Sequence, residues 1–340
     1  MNISLKVLIN IALVGVVMVC DAKSHKRKVL VIGAGPAGCA AAMVIARGGF
    51  EVDVLRGNNP GGQLMGAGVV ENVLGVTPKR GYQIIADMAE QAEKFGVHFI
   101  DDTAFNIDDS ARPFKVTCDS GDVLQPDAVI LATGGSPRML GIPGENEYWG
   151  KGVSSCAVCD CFMVKGKHAI IIGGGDSAVD HILHLVDYAD TITLCVRSER
   201  MRAAPHSQKK LQSYLTCKSG EEPKLRILYN TDIVSVRGDG ERLAHVQLRD
   251  KTTGVVSEAA AAGLFLAIGH IPQSDVCPVS VQKNDDGTIY LPSRTQATTC
   301  PGFFAAGDVA DSVYRQVDIA KGDGTKAGHD AIRYLWSLQD

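Results

Sequence analysis

KVLVIGAGPAGCAAAMVIAR, residues 28–47, opens as a β-branched strand (Lys28–Ile32). It then passes through Gly33-Ala34-Gly35-Pro36-Ala37-Gly38 into an Ala-rich segment, Cys39–Ala46, whose composition predicts a helix. An apolar strand over Phe50–Leu55 follows, so the local order is strand, helix, strand. In such a unit the first glycine permits the tight turn, the second lets backbone N–H groups approach a pyrophosphate, and the third lets helix pack on strand. The helix N-terminus then faces the phosphate charge. A carboxylate is expected near the end of the second strand to hold a ribose, but Arg56 stands there and Asp53 lies inside the strand.

The pattern recurs. His168–Ile172 runs into Gly173-Gly174-Gly175-Asp176-Ser177-Ala178, followed by a predicted helix from Val179 to about Val186 and a strand over Thr191–Val196. Here Arg197 follows the strand, with Arg200 and Arg202 close behind. Cations at that place suit a 2′-phosphate, which favours NADP(H) over NAD(H). Further apolar strands end in small residues at Ala128–Gly135, Leu264–Gly269 and Phe303–Asp308, and such endings let a flat ligand lie close to the backbone. Asp308 is placed to hold a polyol hydroxyl, to cap the next helix, or both. The second unit lies complete between Gly141 and about Gly269, and Phe303–Asp308 returns to the company of the first. One nucleotide-binding domain is therefore expected to be inserted into the other.

Composition narrows the class. The 340 residues carry 34 basic and 38 acidic side chains, a net charge of −4, so a nucleic-acid partner has no electrostatic footprint. Ten cysteines are too few for a disulfide scaffold and are irregularly spaced, except for Cys156-Ala157-Val158-Cys159. That pair reads as half a zinc site, a redox disulfide or two core thiols. Zinc needs a second pair at ligand spacing, which does not follow. Redox work suits a disulfide lying between two nucleotide signatures, with Asp160 either an acid–base or a turn carboxylate. His181 and His184, three apart on a predicted helix, are read as ordinary helix residues, and Cys161 has no assigned role. Cys39, Cys118, Cys195, Cys217, Cys277 and Cys300 are read as core or loop thiols. Residues 1–22 form an apolar leader that is a signal, an anchor or a mis-assigned start, and any membrane contact would run through it. Lys23, Lys26, Arg27 and Lys28 after the apolar run favour a cytoplasm-facing protein, with export or tethering as the alternative.

Taken in order, GAGPAG (33–38), GGQL (61–64), EN (71–72), ATGGSPR (132–138), SCAVCD (155–160), GGGDSA (173–178), AIGHIP (267–272) and FFAAGDV with YRQ (303–316) make the chain resemble a low-molecular-weight thioredoxin reductase, a flavin-dependent pyridine nucleotide-disulfide oxidoreductase. The resemblance implies an α/β fold of two Rossmann-like three-layer ββα domains. The FAD domain would comprise 23–139 plus 270–340, and the inserted NADPH domain 140–269 would carry the cysteine pair. It implies that Gly33, Gly35, Pro36, Ala37, Gly38, Gly61, Gly62, Gln63, Leu64, Asn72, Thr133, Gly134, Asp308, Arg315, Gln316 and Val317 cradle FAD. Gly173, Gly175, Asp176, Ser177, Ala178, Arg197 and Arg202 would hold NADPH. Cys156 would attack the disulfide of thioredoxin, Cys159 would face the flavin, and Asp160 would serve as acid–base. A homodimer is expected, with the NADPH domain rotating on linkers near Arg138–Pro143 and Gly269–Pro272. The sequence departs from the family at Ser198, which stands where a second arginine is usual, at Cys161, which replaces a glycine, and over Val317–Lys321. A dithiol oxidase, or a reductase of another small disulfide, is the alternative reading, and a flavin-binding partner without turnover is a third.

Overall fold

The structure, a computed structural model, describes residues 27–67, 69–216 and 223–338. The apolar leader 1–22 and Cys217 lie outside the described residues. Two five-stranded parallel sheets organise the chain. The first runs Phe303–Ala305, Ala128–Leu131, Lys28–Ile32, Glu51–Leu55, His98–Ile100 across its width. The second runs Val153–Ser154, Gly263–Ala267, His168–Gly173, Thr191–Cys195, Leu225–Leu228. Both are read as continuous apolar runs because both faces are covered. All strands of the second sheet fall, in sequence, between Ala128–Leu131 and Phe303–Ala305 of the first.

Each sheet is the middle of three layers. On one face of the first lie the helices Pro36–Arg47 and Val317–Ser337, which bury Ala41, Ile45, Ala327 and Ala331 against Val29, Val31 and Ile130. On the other lies the antiparallel sheet Ala104–Asp108, Lys115–Cys118, Val123–Leu124, packing Phe114 and Val116 on Leu30 and Leu131. The second sheet repeats the plan with the helix Asp176–Leu185 on one face and the antiparallel strands Thr231–Gly238, Leu243–Asp250, Val256–Ala260 on the other. This is the expected α/β, ββα-layered fold.

Helix starts differ from the sequence reading. The first helix begins at Pro36 and the later one at Asp176, each three residues early, because the fingerprint's last residues are the first helical turn and not a loop before it. Pro36 supports this, since its missing N–H and fixed φ suit that position.

The chain crosses between the two sheets twice, and the crossings pair as an antiparallel ladder, Gly135–Pro137 with His270–Pro272. Arg138 N–H extends the ladder to the Gly269 carbonyl at 2.9 Å. Just beyond, the buried carboxylate of Glu145 accepts the N–H groups of Leu140 (2.8 Å), Gly141 (2.7 Å) and Ile142 (3.4 Å). The Pro143 carbonyl accepts Val236 N–H at 3.0 Å, so this stretch is fastened to the second unit.

Candidate active site

The first glycine turn is shaped by what a side chain would strike. A Cβ on Gly33, whose φ is +110°, would lie 2.4 Å from the Ala132 carbonyl oxygen, and one on Gly38 would lie 1.9 Å from that of Gly33. A Cβ on Gly35 meets nothing within 4 Å. Gly33 and Gly38 are thus required by packing, whereas Gly35 borders open space at the helix start. Gly35 is also the residue before the helix and offers no side-chain cap, leaving the first-turn N–H groups to an anion. The second turn follows suit. A Cβ on Gly173 would lie 2.5 Å from the Ala267 carbonyl oxygen, one on Gly175 meets nothing within 4 Å, and the fully buried Ala178 stands where the first unit has Gly38. Both turns therefore fit a pyrophosphate.

Around the first turn, Gln63 Nε2 donates to the Gly135 carbonyl (2.8 Å) and to Asp308 Oδ2 (3.3 Å), and Asn72 Nδ2 donates to Gln316 Oε1 (3.1 Å). Gly61 and Gly62, at φ of +89° and +62°, turn the chain into the short 3₁₀ helix Gly62–Gly66, which buries Leu64. Thr133 Oγ1 donates to the Gln273 carbonyl, and Gln273 N–H donates to that of Gly134. Arg315 has the positive φ of 50°, unusual for a side-chain-bearing residue, and Asp311 holds that turn by accepting the N–H groups of Val313, Tyr314 and Arg315. Val317 then opens the long helix. Burial, reinforced by Asp311, pushes the Asp308 carboxyl up to about 6. The structure thus gathers Gln63, Asn72, Gly135, Asp308 and Gln316, scattered over some 250 residues, around one cradle.

Cys156 and Cys159 form a disulfide (S–S 2.08 Å) at the carboxyl end of the edge strand Val153–Ser154 of the second sheet. Gln316 Nε2, from the first unit, lies 3.9 Å from Cys156 Sγ, so the disulfide is seated against the cradle. Cys156 Sγ also accepts Cys159 N–H at 3.2 Å. Sequence reasoning missed Ser154. Its hydroxyl donates to Asp160 Oδ2 and accepts Cys156 N–H at 2.9 Å, tying the carboxyl to the cysteine loop. Burial raises the Asp160 carboxyl above the usual carboxylate range, and the Ser154 bond offsets part of that rise. Nearby, burial also pushes His181 and His270 down to about 4, the first aided by His184 and His270 and the second by Arg315. Nδ1 of His181 is buried without a hydrogen-bond partner among the described residues. Cys161 is half-buried, and Cys39, Cys118, Cys195 and Cys300 are buried, as core thiols are.

At the end of Thr191–Cys195 a cavity of about 540 Å³ is lined by Arg197, Ser198, Glu199, Arg200, Asn230 and Lys251. Arg202 is not among its lining residues, but its N–H and that of Ala203 donate to the Gly174 carbonyl (2.6 and 2.9 Å), which fastens the arginine loop to the glycine turn. Asp176 accepts Ala204 N–H at 3.1 Å, and a Ser207 hydrogen bond holds its carboxyl below the usual range. Its visible role is bracing this loop, while Ser177 is exposed beside it.

Two Gly-rich turns that fit pyrophosphates, with a disulfide lying between them in sequence, define a flavin- and pyridine-nucleotide-dependent class of disulfide chemistry. Residues 27–324 match the family described as pyridine nucleotide-disulphide oxidoreductase, and the chain belongs to that family. Within it, the thioredoxin reductase of Schizosaccharomyces pombe is 37% identical over 324 residues, which is 92% of this chain and 98% of that one. The solved thioredoxin reductase from Giardia duodenalis is 34% identical with a TM-score of 0.84, covering 91% of this chain and 99% of that one. That of Lactococcus lactis, described as the FR conformation, is 32% identical with a TM-score of 0.61, covering 92% and 100%. The resemblance read from the motifs therefore holds over the whole described chain.

Proposed function

We propose that this chain is an NADPH-dependent thioredoxin reductase working through bound FAD and the Cys156–Cys159 pair. The observation that carries this is the disulfide itself, placed where Gln316 of the flavin cradle meets Cys156 Sγ at 3.9 Å, with the half-buried Asp160 carboxyl tied to the cysteine loop through Ser154. FAD, when bound, supplies a two-electron carrier between the nicotinamide and this disulfide. Residues 23–139 plus 270–340 hold the flavin in this reading, and 140–269 hold NADPH and the cysteines.

The chain's own residues perform the remaining steps. Gly33, Gly35 and Gly38 admit the FAD pyrophosphate to the helix start, and Asp308, carried by Gln63, accepts from a polyol hydroxyl. Gly173 and Gly175 do the same for NADPH, with Arg197 on its 2′-phosphate. Once reduced, Cys156 attacks one sulfur of the thioredoxin disulfide, and Cys159 attacks the resulting mixed disulfide. Two electrons pass to thioredoxin, and the Cys156–Cys159 bond reforms. Asp160, its carboxyl pushed upward by burial and oriented by Ser154, gives a proton to the departing thiolate.

A disulfide against the cradle excludes the nicotinamide from the same place, so the second unit turns relative to the first. The lower score against the Lactococcus lactis FR structure, at nearly the identity of the Giardia duodenalis one, supports two arrangements of the same units. The family resemblance supports a homodimer. The need for NADPH supports a cytoplasm-facing protein. No helix among the described residues is long and apolar enough to cross a membrane.

The test is anaerobic addition of NADPH to the purified protein, followed by a thioredoxin-coupled assay of Cys156→Ser and Cys159→Ser. We expect the flavin to bleach in all three proteins and both variants to lose thioredoxin reduction. A flavin that stays yellow, or a serine variant that still reduces thioredoxin, would overturn the reading.

A further inference from the structure

We infer that Lys251 is a specificity-determining residue for the 2′-phosphate of NADPH, standing in for the cation that Ser198 fails to provide. This rests on the reading of Gly173–Ala178 and Arg197 as the NADPH site. Lys251 lies just after the strand Leu243–Asp250, in the turn to Val256–Ala260, 54 residues from Arg197 in sequence. Folding brings it to the same cavity, and its Nζ donates to the Arg197 carbonyl at 3.2 Å.

The placement is built from both sides. Lys251 N–H donates to the Asn230 carbonyl (2.7 Å), Asn230 N–H donates to that of Ser198 (3.2 Å), and the Ser198 hydroxyl donates to that of Arg200 (2.9 Å). Asn230 has a positive φ of 50°, and these bonds hold it in that turn. The lysine, the asparagine and the arginine loop therefore form one connected rim. Three cations, Arg197, Arg200 and Lys251, face the cavity against the single carboxylate of Glu199. The surplus positive charge suits a group carrying nearly two negative charges. Ser198 has spent its only donor on the Arg200 carbonyl, so it offers no hydroxyl hydrogen to a phosphate in this arrangement. Lys251 is exposed and, among the described residues, its ammonium is bound only through a backbone carbonyl, so it keeps two further protons for a ligand.

The experiment measures binding of 2′,5′-ADP and of 5′-AMP to the flavin-loaded protein by calorimetry, in wild type, Lys251→Met, Lys251→Arg and Arg197→Met. Lys251→Met is expected to weaken 2′,5′-ADP about tenfold, the worth of one charge-assisted hydrogen bond, with 5′-AMP unchanged. Lys251→Arg is expected to keep most of the affinity. If Arg197→Met weakens 2′,5′-ADP while Lys251→Met does not, the Lys251 role is overturned and the site stands. Equal weakening of both ligands by Lys251→Met makes the residue merely structural and also overturns it. If neither variant affects 2′,5′-ADP, the NADPH site itself has been misplaced.

Discussion

The two nucleotide units share a backbone plan and differ in what they do with the cation at the end of the second strand. In the first, Arg56 is consumed by the fold. It pairs with Glu93 (3.5 Å) and Asp101 (3.4 Å), and its guanidinium stands 4.9 Å over the Phe99 ring. In the second, Arg197 has no ion pair among the described residues and lines an open basic cavity. A residue of one type at one topological place is thus structural where carboxylates and a ring surround it, and available to a ligand where other cations do. The outermost strands differ in the same sense. That of the first sheet, Phe303–Ala305, leads to Asp308, and that of the second, Val153–Ser154, leads to the disulfide. One unit ends its edge strand in a buried carboxyl, the other in a disulfide.

The third small residue of each turn gives the sharpest way to break this pairing. Gly38→Ala puts a methyl 1.9 Å from the Gly33 carbonyl oxygen, where only backbone can yield. We expect a loss of about 3 kcal/mol or more and flavin-free protein, read by absorbance and thermal unfolding. Ala178→Gly at the matching place removes a buried methyl without a clash and is expected to cost about 1 kcal/mol with the flavin retained. A flavin-replete, fully stable Gly38→Ala protein would show that the two turns are not packed as described.

Next in size is the carboxyl of the first unit's edge strand. Its ordinary value is 3.8 and burial lifts Asp308 to about 6, so between those pH values the folded chain keeps a proton the unfolded chain has released. Stability from this group is full below about pH 4, declines as pH rises through the window, and stays reduced above it. Asp308→Asn should therefore stabilise flavin-free protein at pH 8 by up to about 3 kcal/mol and leave it unchanged at pH 4, checked by melting at both values. His270, pushed down by burial and Arg315, is kept neutral by the same physics acting on the opposite charge.

The strand-end cations give the smaller effects. Arg197→Met is expected to raise KM for NADPH about 10- to 100-fold with flavin content unchanged. Arg56→Met, which breaks only partly exposed pairs, should cost about 1 kcal/mol or less and leave NADPH kinetics as they were. Steady-state kinetics and melts on the two variants separate the roles, and interchangeable phenotypes would erase the distinction.

Much of this was legible in the residues. The two fingerprints, the insertion of one unit in the other, and the redox pair beside the second could be read because each is a local pattern whose spacing has a physical reason. The contacts that turn these parts into a site were not. Gln316 meets Cys156 across 160 positions, and Asn72 meets Gln316 across 244. Lys251 sits in an ordinary-looking turn, DKTTG, with nothing in its neighbours to announce a phosphate. Ser154 was closest to view, two residues before Cys156, but serine there is equally at home as a strand end. What no pattern carried was the fate of each charge, because that depends on which distant elements fold against it, as Arg56 and Arg197 show.

The Glu145 carboxylate has a mechanical consequence. With Leu140–Ile142 gripped on one side and Gly135–Arg138 laddered to Gly269–Pro272 on the other, Met139 is the residue of the outgoing crossing that lies outside both grips among the described residues. Its returning counterpart is pinned at the Gly269 carbonyl, and Gly269 turns the chain there at φ +99°. Any swivel of one half on the other must run through this short axle, which permits torsion and forbids the halves from drifting apart.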